Sequence, residues 1–296
     1  MTEAGTAAQP QARVGAGALT PAQIVRRASA YLDRHGVQSP TANAEVLLMS
    51  VLGTDRAGLY ARRDGLDEGE ARRYGRALCR RCAGTPLQHI TGEQQFLDLT
   101  LQVAAGVLVP RPETEVLASA ALALLDGVEA PVVVDIGTGT GAVALAVASR
   151  RTDARVIATD VSPAAAGLAR SNAARLGLQI EVFEGDLLAP VPRELLGCVD
   201  LVVSNPPYLG MEEYADLPEE VRRDPFESLV GGVDVHARLA AESPRWLRAG
   251  GWLALEIGET QAAEVSRTLV EAGLAEIEVR PDMAGRDRVV SARSLT

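Results

Sequence analysis

The chain of 296 residues contains no lysine, so all 29 of its basic side chains are arginine. Alanine, arginine and glycine are abundant throughout, and we interpret the missing lysine as a bias of composition from which no function follows. Acidic side chains number 39, which gives a formal net charge of −10. This negative net charge argues against a protein that mainly binds nucleic-acid phosphates.

The chain also lacks long apolar runs. No stretch of about 18 consecutive apolar residues occurs, which argues against a membrane-spanning helix. Residues 1–17 have no basic start followed by an apolar stretch, as a signal peptide would. We therefore expect a cytoplasmic protein without a membrane partner, and we expect it to be a monomer.

Cysteine is scarce, with three residues at positions 79, 82 and 198. The pair Cys79 and Cys82 has the C-x-x-C spacing of redox and zinc sites. A second metal-binding pair is missing, the histidines are scattered, and the pair lies in an arginine-rich helical pattern. We favour reduced structural thiols over redox or zinc chemistry and predict no metal site.

Charge and periodicity divide the chain. Residues 19–90 carry 11 arginines against 7 acids, whereas residues 91–296 carry 17 arginines against 31 acids. Helical spacing follows Thr20-Pro21, recurs over residues 40–52 and 67–83, and gives way to strand-like alternation after residue 86. The predicted organisation is a disordered tail (1–18), a helical substrate-docking domain (19–85), a β-hairpin linker (86–110) and a catalytic domain (111–296). Arginine pairs in the helical domain either form a docking face or are solvated helix surface.

Strand and helix patterns alternate from residue 111 onwards, which predicts an α/β domain with a mostly parallel sheet and helices on both faces. An apolar strand pattern leads into Asp135 and a glycine-rich loop, and a helical pattern follows. Asp160 ends the next strand pattern, where a carboxylate can accept hydrogen bonds from ribose hydroxyls. A nucleoside site is therefore predicted on the loop residues Gly137, Thr138, Gly139, Thr140 and Gly141. The loop alone does not separate NAD from S-adenosyl-L-methionine.

The most informative motif is Asn205-Pro206-Pro207-Tyr208, directly after the apolar run 199–204. Prolines have no N–H to donate, so the turn presents acceptors without competing donors. The Asn205 side-chain oxygen and the Pro206 carbonyl can accept both N–H bonds of an amide while Tyr208 covers its flat face. An ordinary proline-rich turn is the alternative for this string alone. Combined with the glycine loop and Asp160, the motif favours a class I (Rossmann-like) adenosylmethionine-dependent methyltransferase.

Further strings extend the pattern over residues 20–293. They are Gly92–Phe96, the segment V-L-V-P-R-P-E-T-E at 107–115, Gly231-Gly232, L-E-I-G at 255–258 with Gln261, and A-G-R-D-R at 284–288. With these motifs the chain resembles the peptide chain release factor glutamine methyltransferases, the HemK/PrmC family. Two departures, Asp224 before Pro225 and Val233-Asp234-Val235, do not touch the predicted chemistry.

The resemblance implies methylation of N5 of the glutamine in the Gly-Gly-Gln loop of class I release factors, with S-adenosyl-L-methionine as methyl donor. It places Asp186 and Leu187 beside the adenine, although a turn role for Asp186 remains open, and it adds Arg111 and Glu113 to the substrate site. No general base is assigned; Glu113 or Glu115 could be suspected of that role, but helix capping competes with it, and Glu256 is interpreted as structural. The rivals are a DNA or RNA amino-group methyltransferase, which should carry a basic groove, and a non-catalytic nucleotide-binding protein.

Overall fold

A computed structural model describes residues 19–219 and 221–295. The predicted disordered tail, residues 1–18, lies outside the described residues. The helices are α1 (Pro21–Arg34), α2 (Pro40–Leu52), α3 (Arg56–Ala61), α4 (Glu68–Cys82), α5 (Leu87–Thr91), α6 (Thr114–Leu124), α7 (Ala142–Arg150), α8 (Pro163–Leu176), α9 (Met211–Asp216), α10 (Asp234–Glu242) and α11 (Ala262–Glu271). The strands are β1 (Glu93–Phe96), β2 (Leu99–Gln102), β3 (Val132–Ile136), β4 (Arg155–Asp160), β5 (Glu181–Glu184), β6 (Val199–Ser204), β7 (Leu247–Glu256), β8 (Leu274–Pro281) and β9 (Asp287–Ser294). Within the described ranges, no helix combines the length and apolar character needed to cross a bilayer.

The chain divides into two compact units, residues 1–91 and 92–296. The first is helical where it is described. Thr20 caps α1 through a capping box with Gln23, and Asp67 caps α4 in the same way with Glu70, so both helices begin where local chemistry satisfies their free N–H groups. Apolar side chains from α1 to α4 form the core of this unit.

The segment predicted as a hairpin, residues 86–110, contains a helix as well. Residues 87–91 form α5, and its Leu87 and Ile90 pack against the helical core of the first unit. The hairpin itself is short, with β1 and β2 paired antiparallel over residues 93–102. Phe96 and Leu101 are buried in the core of the second unit. The hairpin is thus part of the second unit, because its buried apolar side chains pack in that core. The strand-like alternation in the sequence could not show where the first unit ends.

The second unit is built on a seven-stranded sheet in the order β5-β4-β3-β6-β7-β9-β8. The neighbours from β5 to β7 are parallel, and β9 runs antiparallel to both β7 and β8. The strand order reverses direction at β3, so β3 and β6 flank the switch point where ligands bind in open α/β sheets. The predicted mostly parallel sheet is confirmed.

Side chains that alternate along the central strands reach two separate cores. Val133 and Leu201 pack with α6 and α7 on one face, whereas Val134 and Val202 pack with α10 and α11 on the other. Strands with helices on both faces are buried on both sides, and for that reason they appear in the sequence as continuous apolar runs. The sheet therefore holds the carboxyl ends of β3, β4 and β6 in a fixed arrangement, and the polar residues follow at those ends.

Candidate active site

The loop after β3 joins the end of a strand to the beginning of α7. Asp135 Oδ2 accepts hydrogen bonds from the Thr138 hydroxyl at 2.6 Å and from the Ala144 N–H at 3.1 Å. Gly141, the N-cap residue of α7, has no side chain to cap the helix, so Asp135 supplies the missing acceptor. Burial raises the pKa of Asp135 to about 6, against the opposing effect of these two donors.

Asp160, the last residue of β4, closes the loop from the other side. Its Oδ2 accepts from the Gly139 N–H at 2.9 Å and its Oδ1 from the Ser162 N–H at 2.8 Å. Burial raises the pKa of this carboxyl. Each carboxylate oxygen has a further lone pair, so Asp160 can hold the loop and still accept hydrogen bonds from a ligand.

The loop glycines have left-handed backbones, and those of Gly137 and Gly139, with φ +67° and +58°, lie beneath the cleft. A Cβ added at either position would meet nothing within 4 Å. Backbone conformation, and not crowding, therefore requires glycine there. The space above the loop backbone is open to a ligand.

The Asn205 side chain follows β6 and turns toward the beginning of α6. Its Nδ2 donates to Thr114 Oγ1 at 3.0 Å. Among the described residues no donor reaches Asn205 Oδ1, so the carboxamide keeps a free acceptor. Next to it, the Ser204 hydroxyl donates to the Ile136 carbonyl at 2.8 Å, which ties β6 to the end of β3.

The two prolines are packed against a glycine on the returning chain. A Cβ built on Gly231 would lie 2.4 Å from the Pro207 carbonyl oxygen and 3.1 Å from its Cγ. Any other residue at position 231 would force the backbone apart. Gly231 and Gly232 also donate to the Leu209 carbonyl at 3.2 Å, so the turn is held by backbone on both sides.

Tyr208 contacts the end of β7 and the segment that follows it. Its hydroxyl donates to Glu256 Oε1 at 3.2 Å, and its carbonyl accepts from Gln261 Nε2 at 2.8 Å. Gln261 in turn accepts from the Gly258 N–H at 2.9 Å. Burial raises the pKa of Glu256 to about 7, opposed by the Thr114 and Tyr208 hydroxyls and by Arg288. Burial also raises the pKa of Tyr208, which stays neutral.

A cleft with about 1190 Å³ of empty space, its open mouth included, lies over the ends of β3, β4 and β6. It is lined by most of the predicted site residues, namely Asp135, Gly137, Thr138, Gly139, Thr140, Asp160, Asp186, Leu187, Asn205, Pro206 and Pro207. Four predicted residues, Gly141, Tyr208, Arg111 and Glu113, lie outside that lining. The structure thus brings together the predicted nucleoside loop and the Asn-Pro-Pro corner in one cavity.

The residues outside the lining have structural partners. The Arg111 guanidinium pairs with the Asp224 carboxylate, whose side chain is buried. Glu113 makes no capping hydrogen bond to α6 and lies 3.8 Å from Arg286 Nη2. Glu115 Oε1 accepts from the Leu97 N–H at 3.0 Å and so holds the hairpin. Helix capping, one of the two roles considered for Glu113, is therefore not formed.

Several lining residues escaped the sequence reasoning. Thr114, Val143, Val161, Glu227, Ser228, Val235 and Arg238 belong to them. Glu227 and Ser228 come from the 210–229 insertion between β6 and α10, which is described at 210–219 and 221–229 and contains α9. Its two ends meet where Leu209 bridges Val230. Arg238 pairs with Asp186 at 2.5 Å. No periodicity marks such residues, and only the Thr114 position, inside the P-R-P-E-T-E string, gave a signal.

Comparison with known proteins agrees with this geometry. The profile described as PrmC N-terminal domain matches residues 23–92, and the profile described as methyltransferase small domain matches residues 114–220. The release factor glutamine methyltransferase of Deinococcus radiodurans is 45% identical over 276 residues, which cover 91% of this chain and 97% of that protein. The chain belongs to the release factor glutamine methyltransferase family. The predicted resemblance is confirmed.

Other members and the fold neighbours are consistent with this assignment. The family member of Moorella thermoacetica is 41% identical over 277 residues, 91% of this chain and 97% of that protein. A 16S rRNA N2 methyltransferase of T. thermophilus, solved with AdoMet and guanosine, has a TM-score of 0.52 at 21% identity and covers 68% of this chain and 49% of that one. At that identity the likeness shows the methyltransferase fold alone.

Proposed function

We propose that this family member binds S-adenosyl-L-methionine in the cleft and methylates the side-chain amide nitrogen of the glutamine in the Gly-Gly-Gln loop of class I release factors. The observation that carries the proposal is the Asn205 carboxamide at the cleft wall, with Nδ2 held by Thr114 and Oδ1 left as an acceptor. A free, fixed acceptor beside a nucleoside-sized cleft suits an N–H-bearing planar substrate.

The residues of the cleft fit the proposed methyl donor. The buried Thr140 hydroxyl lining it has no hydrogen-bond partner among the described residues, and the space over Gly137 and Gly139 is open. Asp160 would accept the ribose hydroxyls, Asp186 and Leu187 would flank the adenine, and the loop backbone would line the methionine part. When bound, the donor supplies an electrophilic methyl group on a positively charged sulfur.

The corner would act on the substrate amide by orientation. An amide nitrogen is a poor nucleophile because its lone pair is delocalised, so the site must hold it in line and exclude water. Asn205 Oδ1 and the Pro206 carbonyl would accept one N–H each, which also stabilises the positive charge that develops on nitrogen. Pro207 packs against Gly231 and keeps this turn rigid.

Tyr208 would hold the corner through Glu256 and Gln261, in addition to the predicted cover of the amide face. No base is needed before transfer, since the nitrogen-bound proton becomes acidic afterwards and leaves to water. Glu113 and Arg111 would contact the protein substrate at the edge of the cleft. In the structure Glu113 lies near Arg286 and Arg111 pairs with Asp224.

The helical unit would dock the protein substrate. Its match to the PrmC N-terminal domain profile and its excess of arginine support that role. Arg26, Arg27 and Arg73 are exposed on α1 and α4. We also propose a cytoplasmic monomer, and the formal net charge of −10 supports a reaction that needs no nucleic acid.

The test is peptide mass spectrometry on a purified bacterial release factor incubated with this protein and S-adenosyl-L-methionine. We expect one added methyl group on the glutamine of the Gly-Gly-Gln loop, and none on a release factor with that glutamine replaced by alanine. Absence of methylation while calorimetry records donor binding would contradict the proposed substrate. Methyl incorporation into DNA or RNA in parallel reactions would favour the amino-group methyltransferase instead.

A further inference from the structure

We infer that Arg238 is a positioning residue that holds the Asp186 carboxylate for the 6-amino group of the donor's adenine, and so makes the site selective for a purine that carries this group. The inference deepens the proposed function and rests on it, because it concerns the methyl donor named there. Arg238 on α10 and Asp186 after β5 both line the cleft and form an ion pair there.

The sheet arranges the walls of the cleft in a fixed order. The strands follow one another as β5-β4-β3-β6, all parallel, so the Asp186 segment, Asp160, the glycine loop and the Asn205 corner follow one another along one edge. In the register of β4 and β5, Asp160 lies opposite Glu184, two residues before Asp186. The reacting methyl group belongs beside Asn205 and the ribose beside Asp160. The base therefore reaches the Asp186 end of the cleft.

A carboxylate at that end suits one group of the donor. An ionised carboxylate accepts hydrogen bonds and donates none. The donor carries N–H or O–H bonds in three places, namely the ammonium of its methionine part, the ribose hydroxyls and the 6-amino group of adenine. In the proposed binding mode the first lies over the glycine loop and the second at Asp160. The 6-amino group is thus the donor that remains for Asp186.

The backbone around Asp186 is fixed by its neighbours. The Gly185 N–H donates to the Asp160 carbonyl at 2.9 Å, and the Leu187 carbonyl accepts from the buried Thr159 hydroxyl at 2.9 Å. Leu187 has φ +45°, a left-handed conformation that is unfavourable for leucine and that this hydrogen bond helps to hold. The Asp186 side chain, in contrast, is 58% exposed and needs a partner to keep one orientation.

Arg238 is the partner that holds that carboxylate. Its Nη2 lies 2.5 Å from Asp186 Oδ2 and its Nη1 3.4 Å from Oδ1, so the guanidinium faces both oxygens. Buried His236 and Leu239 anchor α10, and Glu242 Oε1, one turn after Arg238, lies 3.9 Å from the same Nη2. Each carboxylate oxygen keeps a second lone pair. Asp186 can therefore accept from a ligand while it is held.

The ion pair contributes little to folding, because half of the Arg238 side chain and more than half of the Asp186 side chain are exposed. Its contribution to binding is different, since an acceptor that is already oriented loses no conformational freedom when the ligand arrives. Loss of Arg238 should therefore change the preference for the amino group and leave the melting temperature within about 3 °C of wild type.

The test is calorimetry on the full-length chain with two ligands. One is S-adenosyl-L-homocysteine, and the other is its analogue with an unsubstituted purine base, which lacks the 6-amino group alone. Neither has a methyl group to transfer, so the measurement does not depend on turnover. Wild type should bind the adenine ligand about 10-fold more tightly, the value of one hydrogen bond to a charged group.

In Arg238→Gln this ratio should fall to about threefold or less, because the carboxylate is no longer preorganised. The loss should come from weaker binding of the adenine ligand, whereas affinity for the purine ligand should change less than about twofold. Arg238→Lys keeps the charge but cannot face both oxygens, so its ratio should lie between those of wild type and Arg238→Gln.

Asp186→Ala supplies the second arm, since it removes the acceptor and should bring the ratio to about one. Adding Arg238→Gln to it should change the ratio no further, because both substitutions act on one contact. The matched control is Arg245→Gln, which removes the same charge from an exposed side chain just after α10, outside the cleft lining, and should leave the ratio at the wild-type value.

A wild-type ratio near one would overturn the inference, as would a wild-type ratio in Arg238→Gln or equal weakening of both ligands. A fall of the ratio that comes with a melting temperature lower by more than about 5 °C would assign Arg238 to folding and overturn it too. If Arg238→Gln does not fold, Arg238→Ala is judged by the same criteria. Failure of the wild type to bind either ligand would instead count against the proposed function.

Discussion

Asn205 is the residue on which methyl transfer should depend most directly. We expect Asn205→Ala to lower turnover on a release factor at least about 100-fold, because the amide loses a preorganised acceptor in a water-poor site. Donor binding should persist, since the Gly137 to Thr140 loop and Asp160 remain. Turnover by mass spectrometry and binding by calorimetry check the two halves. Near-normal turnover would show that the corner does not orient the amide.

Asp160 should affect the donor before it affects the chemistry. In Asp160→Asn one oxygen becomes an NH₂ group, which cannot accept both from the loop and from a ribose hydroxyl. We expect the dissociation constant of S-adenosyl-L-methionine to rise about 10-fold or more, the value of one charge-assisted hydrogen bond. Asp126→Asn, an exposed change beyond α6, serves as the control. Equal affinity in both variants would remove Asp160 from the donor site.

Single functional residues can be predicted from the sequence only where their place after a strand fixes where they lie in the fold. Asp160 and Asn205 were predictable because each follows an apolar strand, and parallel strands end at a common edge. Glu256 also ends a strand, but nothing in the sequence tells that its carboxyl accepts a hydrogen bond from Tyr208, which is 48 positions earlier in the chain. Contacts between distant elements are set by packing, and local patterns do not record them.

Among the elements, those with strong local signals were predicted closely. β6 spans Val199–Ser204, as its apolar run indicates, and α2 spans Pro40–Leu52, as its apolar pattern and its first-turn proline indicate. Helix α5 was missed because five residues are too few to show a repeating helical pattern. Packing of its apolar side chains against the core of the first unit stabilises it instead. The division of the chain into functional domains stays a prediction.

The 210–229 insertion, which brings Glu227 and Ser228 to the cleft, should depend on the Arg111–Asp224 ion pair. Arg111→Ala leaves a buried carboxylate without its arginine partner, which we expect to cost about 1–2 kcal/mol, since Arg111 itself is one-third exposed. The insertion should become more sensitive to proteases and donor binding weaker. Arg222→Ala, on an exposed side chain of the same insertion, is the control. Identical proteolysis of both variants would contradict the prediction.

For the whole molecule, two buried carboxyls contribute to the pH dependence of stability. The pKa of Glu256 is raised from 4.5 to about 7 and that of Asp135 from 3.8 to about 6. The folded chain thus binds these protons more tightly than the unfolded chain. Their contribution is complete below the unfolded pKa values and is lost as pH rises through 6 and 7.

Urea unfolding of wild type and Glu256→Gln between pH 5 and 8 measures this effect. The wild-type free energy of unfolding should fall by up to about 3 kcal/mol per carboxyl over that range, taking 1.36 kcal/mol per pKa unit. Glu256→Gln should show a shallower slope and equal or greater stability at pH 8. A slope identical to wild type would mean that the pKa of Glu256 is not raised in the folded protein.

Arginine on the helical unit should matter for the protein substrate alone. We expect the pair Arg26→Glu and Arg27→Glu to raise KM for a release factor several-fold, with a weaker effect at high salt where charges are screened. Methylation of a short Gly-Gly-Gln peptide should be unchanged. Arg267→Glu on α11 controls for net charge. An equal rise of KM for protein and peptide would place the effect outside docking.

The contact between Gly231 and the Pro207 carbonyl limits how this enzyme can evolve. A wall made of two backbones has no side chain whose replacement would widen or reshape it, and proline and glycine fix its two surfaces. Selection for methylation of a different substrate therefore has few side chains to change in the corner itself. Variants with an altered substrate range should carry their mutations in the surfaces that deliver an amide to the corner, and a laboratory evolution experiment would accumulate them there.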